Sequence, residues 1–117
     1  MQFVLFIYQG KTPLPGSDAW GRLPEAEQKR IYADYAAINK TPGVTGGLPL
    51  GLPGAASTVQ VRDEKTQVKP GLYQNEAPGG YLVLEAEHME AAIKLAAKIP
   101  AARLGGAIEI RPVEQYW

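Results

Sequence analysis

Gly80-Tyr81-Leu82-Val83-Leu84-Glu85-Ala86 reads as a β-strand, and the stretch from there to Pro112 decides the fold. An amphipathic helix is expected over residues 87–98, stopped by Pro100, after which Gly105-Gly106 leads into a second strand, Ala107-Ile108-Glu109-Ile110-Arg111, ended by Pro112. Strand, helix and strand in that order make a βαβ unit that fills residues 71–113. In its helix, Met89, Ala92, Ile93 and Ala96 are expected to form the buried stripe, while Glu90 and Lys94 stand four apart on the exposed side.

The start of the chain repeats the theme. Gln2-Phe3-Val4-Leu5-Phe6-Ile7-Tyr8 is apolar at almost every position, which implies a strand covered on both faces. Residues 9–22 contain Gly10, Pro13, Pro15, Gly16 and Gly21 without a period, so a loop is expected, with Trp20 packed somewhere within it. Residues 23–40 are helical in pattern. Pro24 suits a first turn, Glu25 and Glu27 complement the positive helix end, and Ile31, Tyr35 and Ile38 recur at helical spacing. Thr41-Pro42-Gly43 ends that helix, and residues 44–56, rich in glycine and proline, suit an irregular edge strand over 44–50 and then a loop. Ser57-Thr58-Val59-Gln60-Val61-Arg62 and Thr66-Gln67-Val68-Lys69 alternate around a turn at Asp63-Glu64-Lys65, a hairpin whose polar face is expected to see water or a partner.

Right-handed crossovers place both helices on one face of a mainly antiparallel sheet, with the hairpin inserted between the halves. The expected class is therefore α+β, ferredoxin-like, of the dimeric α/β-barrel type. One face stays bare: Phe3, Leu5 and Ile7 turn one way, and Val4, Phe6 and Tyr8 the other. Burying one such side chain contributes roughly 1.5 to 3 kcal/mol, so a face-to-face homodimer is expected, with any cavity between the sheets or at their rim.

Composition narrows the function. At 117 residues the chain is expected to form a single domain, 1–117. Lysine plus arginine and aspartate plus glutamate both count 12, which leaves no basic excess for a nucleic-acid backbone. Cysteine is absent, which removes thiolate-metal and cysteine-nucleophile chemistry and fits a reducing cytoplasm. No run approaches the roughly 20 apolar residues that span a bilayer, so no membrane partner is expected.

The strand Phe3 to Tyr8, the run Thr58-Val59-Gln60-Val61-Arg62-Asp63, Gly79-Gly80-Tyr81, Ala96-Ala97-Lys98-Ile99-Pro100-Ala101-Ala102 and Gly106-Ala107-Ile108-Glu109-Ile110-Arg111-Pro112-Val113 together carry a resemblance. The chain resembles YCII-related proteins of the DGPF-domain group, small bacterial proteins, over nearly its whole length. The namesake Asp-Gly-Pro-Phe turn, usually followed by an acidic pair, stands here as Lys69-Pro70-Gly71-Leu72-Tyr73-Gln74-Asn75-Glu76. Whatever a carboxylate does at that turn is therefore not carried over. The resemblance implies a ferredoxin-like α+β fold and a dimer, with family members sometimes suspected of enzymatic activity and often without an assigned function, and for some relatives an association with extracytoplasmic-function sigma factors. A His and Asp pair used by one branch has no counterpart, because no histidine precedes His88.

Residue type and place together single out the candidate site residues. His88 falls in the first turn of the second helix and reads as structural. One histidine and scattered carboxylates give no ligand spacing, so no metal and no cofactor are expected. Glu109 and Arg111 share one face of the last strand, where the guanidinium could hold a carboxylate, or the two could form an ion pair with each other or with Arg62. Tyr8 and Tyr81 sit at strand ends, where a hydroxyl could reach a rim pocket while the ring packs. The glycine-rich runs at 43–54 and 71–80 lack a nucleotide-loop context and read as turns. The terminal Tyr116 and Trp117 suggest docking on a partner subunit.

The leading expectation is a cytoplasmic, homodimeric small-molecule-binding or accessory protein, with Tyr8, Trp20, Tyr81 and Arg111 as ligand-binding residues. Its rival is a cofactor-free enzyme of proton-transfer or lyase type, in which Arg111 holds a small metabolite and Glu109, Tyr8 or Asp18 handles the proton. An interaction module linked to sigma-factor regulation is the third reading.

Overall fold

The elements run β1 (Gln2–Tyr8), α1 (Asp18–Gly21), α2 (Glu25–Asn39), β2 (Val44–Thr45), a 3-10 turn at Pro53–Ala55, β3 (Ser57–Arg62), β4 (Lys65–Pro70), β5 (Gly80–Glu85), α3 (Met89–Ala96), α4 (Pro100–Arg103) and β6 (Ala107–Pro112). This computed structural model describes residues 1–116. Alternation along β1 sends Phe3, Leu5 and Ile7 under the helices, where they are buried, and Val4, Phe6 and Tyr8 to the opposite face, where they are half-buried.

β1 lies between β5 and β6, antiparallel to both, and β2 adds an edge beside β5, giving the order β2-β5-β1-β6. With the hairpin set aside, the first strand is flanked by the third and fourth, and the second lies at the edge. That is the ferredoxin-like α+β topology. Ile38 of α2, Ala92, Leu95 and Ala96 of α3, and Ile99 and Ala101 join Phe3, Leu5, Ile7, Leu82 and Leu84 in one core on the helix side. The cluster forms because β5 presents Leu82 and Leu84 on the same face as the buried trio of β1, in register with Leu5 and Phe3.

Several expectations are corrected. The 9–22 loop contains a short helix, α1, because the Ser17 hydroxyl caps it by accepting from the Trp20 amide at 3.1 Å. α3 begins at Met89, with His88 as its N-cap: Nδ1 accepts from the Ala91 amide at 3.3 Å. The buried stripe of α3 is rotated from the expected one. Met89 and Ile93 are exposed, and Leu95 takes their place beside Ala92 and Ala96. Pro100 does not only stop α3; it opens α4 at a first-turn position, where its missing N–H costs nothing. The edge strand is two residues long, extended only by a bridge between Pro49 and Gly80.

The hairpin departs most from expectation. β3 and β4 pair only with each other, around a two-residue turn whose residues, Asp63 and Glu64, have φ of 52° and 63°. Its polar Thr58 and Gln60 are half-buried, whereas Val59 and Val61 face outward.

Candidate functional site

The end of β1 at Tyr8 is where the loops of the molecule converge. Gln9 and Gly10 continue from it, residues 49–56 fold past it, residues 72–79 return beside it, and the 105–107 turn closes the far side. Main-chain hydrogen bonds fix these segments: Gly79 N–H donates to Ile7 at 2.8 Å, Leu50 N–H to Gly79 at 2.8 Å, and Gly71 N–H to Ala56 at 2.8 Å. They border an open cleft of about 890 Å³. Cavities that take small molecules run from about 300 to 1,000 Å³.

The walls are mainly apolar, from Leu14, Leu50, Leu52, Ala55, Ala56 and Leu72. Polar side chains are few among the described residues: Tyr8, Gln9, Asn75 and Glu76, of which Glu76 alone is charged. A smaller hollow of about 470 Å³ adjoins it, lined by Tyr8, Glu109 and residues of the 74–76 and 107–108 segments. Tyr8, Asn75 and Glu76 thus stand between two spaces.

Gly106 lets the backbone approach this closely, and Gly79 leaves room for the Gln9 side chain. A Cβ on Gly106 would overlap the carbonyl oxygens of Tyr8 and Gln9, and one on Gly79 would meet Gln9 Cγ at 2.8 Å. Gln9 also links the cleft to α2. Burial pushes the Tyr35 phenol above its ordinary pKa, and a hydrogen bond with the Gln9 side chain offsets part of that rise.

The residues singled out from sequence are dispersed. Tyr8 lines both spaces and Glu109 the smaller one. Tyr81 and Glu109 flank Phe6 on one rung of the open sheet face, and Arg111 pairs with Val4 on the next. Neither Tyr81 nor Arg111 lines the cleft or the hollow. Among the described residues, Glu109 and Arg111 form no ion pair with each other or with Arg62. Trp20 is buried on α1, its ring packed edge-on against Tyr32 with centroids 5.3 Å apart. Asp18 begins α1 and is exposed, apart from both spaces. Tyr116 is exposed, and Trp117 lies outside the described residues.

Gln9, Asn75, Glu76, Leu50 and Leu52 were not indicated by sequence reasoning as site residues. They lie in glycine- and proline-rich segments that look like plain turns. The one signal was Glu76 itself, an acidic residue retained just after the altered 69–73 turn. Among the described residues, no group of three His, Asp or Glu side chains is placed to hold a metal ion, and no helix is long and apolar enough to cross a membrane.

Four strands in ferredoxin-like order, two main helices on one face and a loop-built cleft at the end of the central strand define a class of small α+β domain. The chain belongs to the YCII-related domain family, whose model matches residues 1–116. No curated protein matches it. Among solved structures it is similar to 5-chloro-2-hydroxyhydroquinone dehydrochlorinase (TftG) from Burkholderia phenoliruptrix AC1100, determined in complex with 2,5-dihydroxybenzoquinone, at 16% identity and a TM-score of 0.49. That match covers 97% of this chain and 94% of the other.

Proposed function

We propose that this YCII-related protein binds a small, largely apolar molecule bearing a hydrogen-bond donor or a positive charge, and does so as a cytoplasmic homodimer. One observation carries the ligand class: the cleft beside Tyr8 has mainly apolar walls and, among the described residues, a single charged lining group, the Glu76 carboxylate. An ionised carboxylate only accepts hydrogen bonds, so it favours hydroxyl, amine or amidine groups and opposes anions. Tyr8, Gln9 and Asn75 would orient the polar end while the leucines take the apolar body.

Pairing is supported by the open sheet face. Val4 and Phe6 on β1 stand beside Val83 and Tyr81 on β5, a contiguous half-buried apolar surface that a second copy would cover. The lack of cysteine fits the reducing compartment.

A matched series of aromatic amines, phenols and carboxylates tests the ligand class by thermal shift. Amines and phenols should raise the melting temperature of the natural protein and carboxylates should not. Glu76→Gln should weaken the donors about tenfold, the lower end for a hydrogen bond to a charged group. Binding of carboxylates that is indifferent to Glu76→Gln contradicts the reading.

A further inference from the structure

The β3–β4 hairpin leaves its apolar face open to solvent, and on its polar face only Thr58 and Gln60 are half-buried. Val59 stands directly opposite Val68, and Val61 opposite Thr66, so the three valines share one face; the other carries Thr58, Gln60 and Gln67. In a lone subunit the valine face should turn inward. Instead Val59, Val61 and Val68 are 58%, 60% and 65% exposed, while Thr58 and Gln60 are half-buried. Among the described residues, no strand of the main sheet pairs with the hairpin.

The dimensions of the molecule agree. Its accessible surface is 8495 Å², where a compact monomer of 12.6 kDa has roughly 6,200 Å². Its radius of gyration is 16.4 Å, against roughly 13 Å for a compact chain of this length. The surplus is about 2,300 Å² per chain, or about 4,600 Å² for two copies, inside the range of about 2,000 to 5,000 Å² that obligate dimers bury. A formal net charge of zero leaves little long-range repulsion between copies.

We infer that the β3–β4 hairpin is a dimerisation arm, whose Val59, Val61 and Val68 face packs against a second copy of this chain. The inference rests on the homodimer proposed above and adds a second contact to its sheet face. Because Ala56 and Leu72 line the cleft and stand just outside the two ends of the hairpin, an arm held by the partner also steadies two cleft walls.

The test is the dimer dissociation constant by analytical ultracentrifugation for three proteins. These are the natural chain, an arm variant (Val59→Thr, Val61→Thr and Val68→Thr together) and a sheet-face variant (Val4→Thr with Val83→Thr). Threonine keeps the branched shape that strands favour, and far-ultraviolet dichroism reports that the fold persists. The arm variant should dissociate at least about thirtyfold more readily, from six valines losing apolar burial across two copies. An unchanged constant for the arm variant overturns the arm, and if the sheet-face variant dissociates in the same series the sheet pairing stands without it. Loss in the arm variant alone keeps the arm and removes the sheet pairing. A natural chain that stays monomeric at 100 µM, roughly a hundred times the scale of a micromolar contact, overturns both. A second readout needs no apolar loss: Val61→Cys, in a chain with no other cysteine, should react with a maleimide about tenfold more slowly at dimeric than at monomeric concentration. Equal rates contradict the arm.

Discussion

Arg103 of α4 grips Glu27 of α2: its Nη1 donates to Glu27 Oε1 at 2.8 Å, while Nη2 donates to Asp34 Oδ2 at 3.2 Å. Residues 76 apart in sequence are tied there, and the hydrogen bond to Glu27 is the first reason the guanidinium pKa is raised further above its ordinary value. Arg103→Met should lower unfolding free energy by about 1 kcal/mol, the value of a partly exposed pair in good geometry rather than of a buried one. Arg103→Lys should recover only part, since an ammonium cannot reach two carboxylates with a planar fork. Urea denaturation measures both.

His88 caps the first turn of α3, its Nδ1 accepting from the Ala91 amide. His88→Ala should cost about 1 kcal/mol of stability, whereas His88→Asn, which places a preferred capping acceptor there, should leave stability unchanged or raise it slightly. Equal losses in the two variants would show that the cap contributes nothing.

Tyr35 supplies a pH dependence. Its phenol is neutral in the fold and its pKa is raised above 10.0, first by burial. Stability from the neutral form is therefore complete below the unfolded value of about 10 and is lost as pH rises through the higher folded value. Unfolding free energy should fall above pH 10 in the natural protein, and less steeply in Tyr35→Phe; chemical denaturation from pH 8 to 11 checks the difference in slope.

Gly106 has carbonyl oxygens where a Cβ would go. Gly106→Ala should cost about 2 kcal/mol or more, because backbone rather than a flexible side chain must move. The same variant should weaken ligand binding in the cleft, since Tyr8 and Gln9 are the displaced residues.

Much of this architecture was legible in the sequence. Uninterrupted apolarity in β1, the strand at Gly80 and the glycine pair before β6 fixed three of the four sheet strands, and Ile31 and Ile38 fixed the buried side of α2. Local pattern failed where tertiary context decides. Ile93 and Leu95 are both strongly apolar, and the packing of α3 on the sheet buries Leu95 and leaves Ile93 exposed. The valines of β3 pointed inward on paper because alternation cannot say which face has a neighbour. The site was harder still. Tyr8 was legible because it ends a core strand, but Glu76 and Asn75 sit in a segment without periodicity, and their meeting with Leu50 and Leu52 depends on loop closure over long sequence distances.

The cleft beside Tyr8 as a ligand site is tested most directly by amide chemical-shift mapping of isotope-labelled protein titrated with a library of small amines, phenols and carboxylates. Saturable shifts should cluster on Tyr8, Gln9, Leu50, Leu52, Asn75 and Glu76 with donor-bearing compounds and vanish in Glu76→Gln. Shifts confined to the open sheet face around Phe6 and Tyr81, or produced by carboxylates alone, would contradict it.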